Sequence, residues 1–290
     1  MGIHECAIAG WSPATDEASA GRSCRALEAG AVVHLPRTAF ELAMDERRFL
    51  SDAWAGDGAK NISLRPDTRV ARGAKGGAAD LEAMGAMMAR YADAAEALID
   101  TLLPRYRGGR MRGNTSFRPA AIEATRRSWR SDDRRLHADS FPSNPVQGRR
   151  ILRVFSNVHP AEPREWLLGE PFPAFAARFL PRVRAPFPGS ARFLATLGIT
   201  KSRRSAYDHL MLGMHDAAKS DAAYQREAPR EAIAFAPGST WIAFTDQVVH
   251  AATRGQHALE QTFYVEVAAM EDRSRSPLAV LERMAGRALI

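Results

Sequence analysis

The triplet His137-Ala138-Asp139 and the later His250 constrain the fold more than any other feature of this 290-residue chain. In an extended strand, residues i and i+2 point to the same side, so His137 and Asp139 share one face while Ala138 turns away from it. His250 closes the segment that begins with the apolar run 241–244. Side chains so distant in sequence converge only if the chain folds back and lays one strand beside another. A bare His-x-Asp is weak evidence in a chain with eight His and 33 Asp and Glu, so the flanking residues decide what it means.

Those residues read as strands and turns. Downstream of the triplet comes the turn-rich segment 141–148, and then residues 150–158, whose β-branched and apolar content predicts a strand. In the second half, residues 235–240 hold a Pro-Gly turn that feeds an apolar strand over 241–244, and residues 254–257 form a turn before a strand over 259–267. The order is strand, His-x-Asp, loop, strand, long insert, turn, strand, His, turn, strand. Two imidazoles and one carboxylate on one side of a metal ion, with the other positions open, suit Fe(II) that activates oxygen. The metal ligands expected from this pattern are His137, Asp139 and His250.

The chain resembles the Fe(II)/2-oxoglutarate-dependent dioxygenases, and more narrowly the bacterial hydroxylases of 3-deoxy-D-manno-oct-2-ulosonic acid (Kdo). The stretches that carry the resemblance are HADSFPSNP (137–145), GRRILRVFSNV (148–158), YDHLML (207–212), PGSTWI (237–242), LEQTFY (259–264) and KNIS (60–63). The resemblance implies an α+β fold, a double-stranded β-helix of the jelly-roll or cupin kind braced by N-terminal and inserted helices. It implies Fe(II) as cofactor, 2-oxoglutarate and O2 as cosubstrates, and hydroxylation of the 3-position of Kdo on lipid A. Many such dioxygenases carry an Arg or Lys on the strand after the distal His to pair with the far carboxylate of 2-oxoglutarate. The matching strand here has no cation, and Gln261 stands nearest. Arg153, flanked by Ile151 and Phe155 on an inward face, is the stronger candidate for that contact, with Arg254 as a second choice. For an anionic sugar the candidates are Lys60, Arg149, Arg150 and Tyr207.

Composition sets bounds. The chain is 46% hydrophobic and 25% charged, with no run near the roughly 20 apolar residues that span a bilayer. Its first 25 residues lack the apolar centre of a signal peptide, so the expected location is the cytoplasm, with peripheral contact at the anionic inner face of the membrane. Cys6 and Cys24 are expected to be reduced thiols. The net charge of +7 is carried overwhelmingly by Arg and suits an anionic partner, here a Kdo-bearing lipid. No nucleic-acid recognition element with interleaved aromatics is present, and no stable protein partner is implied. The densest basic stretches, 105–113 and 126–135, are expected to be solvated or locally paired. The rival functions are an oxygenase acting on a nucleobase or protein side chain, and a β-barrel binding protein without catalysis.

Along the chain, residues 1–30 are expected to form a poorly ordered leader and 31–290 a single domain. Within it, helical support covers about 31–125, the β-core about 126–270, a helical insert about 172–219, and a last helix 277–288. Specific expectations are a short helix over 38–50 and an amphipathic helix over 78–103. Two short helices broken at 184–190 should follow, then a helix over 205–219 in which His209 and His215 pack.

Overall fold

In the computed structural model, which describes residues 2–12, 16–57, 59, 61–122, 128–187 and 189–290, ten strands form two sheets. The strands are β1 (Ile3–Glu5), β2 (Val32–Leu35), β3 (Ile62–Leu64), β4 (Arg110–Arg118), β5 (Arg150–Asn157), β6 (Arg164–Leu168), β7 (Glu231–Phe235), β8 (Thr240–Phe244), β9 (His250–Arg254) and β10 (Ala258–Val265). The larger sheet runs β1-β2-β8-β5-β10-β4-β3 and the smaller runs β7-β6-β9. An antiparallel bridge between His137 and His250 adds a fourth element to the smaller sheet. Four central strands of the large sheet (β4, β10, β5, β8) thus face four elements of the small one, which is the eight-membered jelly-roll arrangement expected from the sequence.

Each outer face of this sandwich is covered by helix. Helix α1 spans Glu17–Glu28 and α2 spans Ala78–Leu102. In α2, Met84, Met88, Tyr91, Ala95, Leu98 and Leu102 recur at three- and four-residue intervals and are fully buried. Its C-terminal half packs with Leu152, Val154 and Phe263 on the outer side of the large sheet. Burial of each such Leu or Met contributes roughly 1.5–3 kcal/mol, so packing rather than intrinsic propensity holds α2 in place. Gly85 is required there, because a Cβ would lie 1.9 Å from the carbonyl oxygen of Arg69.

The outer side of the small sheet is covered by the insert between β6 and β7. It contains α3 (Phe172–Phe179), α4 (Ser190–Thr196), α5 (Ala206–Ser220) and α6 (Ala222–Glu227). Phe172, Phe175, Phe179, Tyr207, Met211 and Met214 form one core with Leu136, Ala138, Val249 and Ala251. Alternation then directs His137, Asp139 and His250 inward, because their neighbours anchor the opposite face. The last helix, α7 (Pro277–Ala285), joins the same core. The turn at Pro237-Gly238, with Gly238 at φ 73°, leads into β8 as expected.

Three expectations are corrected. Residues 31–125 are not helical support alone, because β2, β3 and β4 lie there and pair into the large sheet. Residues 2–12 and 16–30 are not a loose leader. β1 pairs in parallel with β2, and α1 is capped by Asp16, whose side chain accepts from Ser19 N at 2.8 Å. Leu27 and Cys24 are buried beside Leu98 and Leu102, and the Glu28 carboxylate accepts from Tyr106 Oη (2.9 Å) and from the amides of Glu271 and Asp272 (2.8 and 2.7 Å). The helix expected over 38–50 is reduced to a single 3-10 turn, Glu46–Phe49. Phe40 and Phe49 are anchored in the core around α2, and the strip between them follows that surface in an irregular path.

Candidate metal centre and its cavity

His137 and His250 exchange backbone hydrogen bonds of 3.0 and 2.9 Å, and Asp139 N donates to Thr245 O at 2.7 Å. The triplet is therefore clamped between the start of β9 and the end of β8. One ligand atom from each of His137, Asp139 and His250 lies within 4.8 Å of the others. The tautomers are set by the backbone: His137 Nδ1 is 2.7 Å from Arg135 O, and His250 Nδ1 is 2.8 Å from Val248 O. A carbonyl can only accept, so Nδ1 carries the hydrogen in both rings and Nε2 keeps its lone pair. Burial lowers the pKa of His137 to about 3 and lowers that of His250 as well, leaving both neutral at physiological pH. Burial works to raise the Asp139 carboxyl, but the Arg153 guanidinium and the bond from His137 hold it well below its ordinary value. Two neutral imidazole nitrogens and one carboxylate, oriented before any ion arrives, fit a divalent transition metal.

Aromatic rings hold the imidazoles in place. Trp166 of β6 stacks on His250 at 4.9 Å and 21°, and its Nε1 is buried with no hydrogen-bond partner among the described residues. His215 of α5 meets His137 edge-on at 5.2 Å.

Behind the carboxylate lies a cluster of arginines. Arg153 donates from one nitrogen to Asp139 Oδ2 at 2.9 Å and lies 2.7 Å from Glu260 Oε1 with another. Arg118 reaches the same Glu260 oxygen at 3.1 Å and Asp133 Oδ2 at 2.9 Å. The register explains the convergence: Thr262 pairs with Arg153, and Ala258 pairs with Arg118, so both arginines are diagonal neighbours of Glu260 on one face. Burial works to raise the Glu260 carboxyl, but Arg118, Arg153 and, more distantly, Arg164 of β6 hold it ionised. These groups line a cavity of about 1080 Å³ that is also walled by His137, Asp139 and His250. Eight Arg and Lys side chains line it against five Asp and Glu, so it favours an anionic occupant.

The sequence matches the family model for 3-deoxy-D-manno-oct-2-ulosonic acid (Kdo) hydroxylase over residues 10–288. The chain belongs to the Kdo hydroxylase family. A crystal structure of the Kdo hydroxylase KdoO, a non-haem Fe(II) alpha-ketoglutarate-dependent dioxygenase, with alpha-ketoglutarate and Fe(III), is 40% identical. The match covers 100% of this chain and 98% of that one, with a TM-score of 0.96. The cobalt(II) complex of KdoO is 41% identical over 99% and 97% of the two chains, with the same TM-score. The succinate and Fe(III) complex is 40% identical over 99% and 97%, with a TM-score of 0.95. No curated protein matches the sequence.

In this Kdo hydroxylase family member, several residues expected at the site lie elsewhere. Gln261 is on the opposite face of β10 from Glu260, fully buried, bonded to Thr115 Oγ1 (2.6 Å) and to the carbonyls of Gly113 and Thr262. Arg254 is exposed at the end of β9, 3.8 Å from Glu165, and does not line the cavity. Arg150 points through the other face of β5 and pairs with Asp246 at 2.7 Å. Tyr207 is buried in the insert core, and Arg149 packs over the Tyr264 ring without reaching the cavity. Lys60 lies outside the described residues. His215, expected to pack, does line the cavity, whereas His209 bonds to Arg184 O. The basic stretch at 105–113 is locally paired, with Arg110 and Arg112 meeting Asp93, Glu96 and Asp100 of α2. Sequence reasoning missed Arg118, Arg164, Trp166, Lys219 and Glu260, all of them on the cavity wall.

Proposed function

We propose that this chain is an Fe(II)- and 2-oxoglutarate-dependent dioxygenase that hydroxylates Kdo, at its 3-position and in lipid A. The observation that carries the reading is the inward-facing set of His137, Asp139 and His250 in a charged cavity. It occurs in a chain that matches a Kdo hydroxylase over its whole length.

The residues divide the work as follows. His137 and His250 offer Nε2, and Asp139 offers Oδ1 while Arg153 holds its Oδ2. When bound, Fe(II) couples decarboxylation of 2-oxoglutarate by O2 to hydroxylation, one oxygen atom ending in succinate and the other in a C–H bond of the substrate. Arg118, Arg153 and Arg164 face Asp133, Asp139 and Glu260, a balanced set to which a dication and a dianionic cosubstrate add equal and opposite charge. We assign the far carboxylate of 2-oxoglutarate to this arginine cluster, with Arg153 central to it, rather than to Gln261 or Arg254. Arg130, Lys201 and Lys219 on the same wall supply cations for the carboxylate of Kdo. No described helix is long and apolar enough to cross a membrane. A lipid-borne substrate is then met by peripheral attachment, at the cytoplasmic face of the inner membrane.

The test is mass spectrometry of Kdo-bearing lipid A after incubation with the protein, Fe(II), ascorbate and 2-oxoglutarate in air, beside a reaction lacking 2-oxoglutarate. Gain of one oxygen on the sugar in the complete reaction alone is expected. Succinate release without that gain would move the substrate to another class, such as a nucleobase or protein side chain. Neither signal from folded, iron-loaded protein would leave a binding protein.

A further inference from the structure

Residues 171–207 contain seven Lys and Arg and no Asp or Glu, which equals the formal net charge of the entire chain, +7. The same stretch carries an apolar surface that none of the described residues covers. Helix α4 buries none of its residues. Phe193 (63% exposed) and Leu197 (56%) follow each other at i, i+4, flanked by Phe187 (83%) and Ile199 (53%). The other exposed large hydrophobic residues among those described are scattered: Met44, Val70, Met111, Met284 and Ile290.

This segment is fixed to the body at both ends. On one side Val183 packs against Gly213 of α5, where a Cβ would lie 2.5 Å from Val183 Cγ1. On the other, Thr200 is buried, Lys201 N donates to Ser143 O at 2.9 Å, and the Arg204 guanidinium donates to Pro142 O. Ser143, Pro142 and Lys201 are also on the wall of the cavity. The segment that carries the apolar residues therefore ends on the cavity wall, and the exposed Arg184, Arg192 and Arg203 lie along it.

From this we infer that residues 183–187 and 189–204 form a docking element for an anionic lipid bilayer. Phe187, Phe193, Leu197 and Ile199 would enter the headgroup boundary while the arginines meet lipid phosphates. Charge chooses the occupant: a short apolar ridge inside a purely cationic stretch suits an interface rich in negative charge, and two copies of that stretch would repel each other. The inference rests on the proposed function only for its purpose, which is to bring the cavity to a lipid-borne sugar; binding itself needs no turnover.

The experiment is flotation of the intact protein with vesicles of phosphatidylcholine, with and without phosphatidylglycerol. Wild type, Phe193→Asp/Leu197→Asp and Arg184→Glu/Arg192→Glu are compared, with thermal melts as a folding control. The expected result is binding to the anionic vesicles alone, weakened by salt and reduced about tenfold or more by either double variant. Activity on a deacylated, water-soluble Kdo substrate should stay unchanged, while activity on vesicle-borne substrate falls. Absence of vesicle binding by wild type, or equal binding by folded variants, overturns the inference. So does a wild-type dimer that the Phe193→Asp/Leu197→Asp variant makes monomeric without changing vesicle binding, since the ridge would then be an interface between copies. Vesicle binding without hydroxylation of any Kdo substrate leaves the docking element standing and removes the proposed function.

Discussion

Arg150 and Arg153 lie three positions apart on β5, each among carboxylates and largely withdrawn from solvent, yet on opposite faces of the strand. Arg150 looks outward, where all three guanidinium nitrogens are engaged: Nε with Asp246, the others with Asp246, Gln247 and Met270 Sδ. Gln247 in turn donates to Glu28 O, so the cluster ties α1 to the sheet. Burial raises the Asp246 carboxyl despite the adjacent guanidinium. Arg153 looks inward, bridges Asp139 and Glu260, keeps one buried nitrogen without a hydrogen-bond partner among the described residues, and borders a cavity. A buried ion pair is thus no mark of a functional site. The inward cluster differs in having unspent hydrogen-bonding capacity and a carboxylate that a metal can share.

That contrast can be broken by substitution. The largest effect is expected for Asp139→Ala or His137→Ala: turnover is lost in a succinate assay, while the metal-free variants still give a cooperative thermal melt. Arg150→Met should come next. It leaves Asp246 buried without its cation and should cost about 3–5 kcal/mol in denaturant unfolding, with 2-oxoglutarate affinity of the remaining folded protein unchanged. Arg153→Met should do the reverse, weakening Fe(II) and 2-oxoglutarate binding by about 10–100-fold through loss of support for Asp139. Its cost to stability should be smaller than that of Arg150→Met, because Glu260 keeps Arg118. Equal stability losses from the two variants, or equal losses of cosubstrate affinity, would remove the distinction.

The smallest effect concerns pH. Burial depresses His137 to about 3 and His257 to about 4, and lowers His250 and His34 below the ordinary value of 6.5. Between pH 6.5 and 4 the unfolded chain therefore binds more protons than the folded one, and stability is lost as pH falls through that window. Thermal melts of metal-free protein should drop between pH 7.5 and 5. An unchanged melting temperature would mean that these imidazoles are open to protons in the folded state.

How much of this was legible in the sequence depended on whether a signal was local. The i, i+2 spacing of His137 and Asp139, the periodicity of α2 and the Pro-Gly turn before β8 each depend on a few neighbouring residues, and the structure has them where expected. The face of a strand was harder. β5 and β10 are buried on both sides, so apolar content does not alternate and parity gives no clue to which side is the cavity. That is why Gln261 stands among the sequence candidates although it faces away from the cavity, why Glu260 does not, and why Arg150 and Arg153 are both expected at the site. Arg118 and Arg164 could be found only from cross-strand register. The N-terminal helix was hidden for a related reason: Cys24, Leu27 and Glu28 find their partners at Leu98, Tyr106 and Asp272, far along the chain.

The most direct test of the central claim is an oxygen-free equilibrium titration of Fe(II), followed by 2-oxoglutarate, into the parent and the Asp139→Ala variant. One Fe(II) per parent chain is expected, with one 2-oxoglutarate bound tightly only after the metal, and neither event in the folded variant. Stoichiometric Fe(II) in Asp139→Ala, or 2-oxoglutarate binding to the parent as tightly without metal as with it, would contradict the assignment of His137, Asp139 and His250.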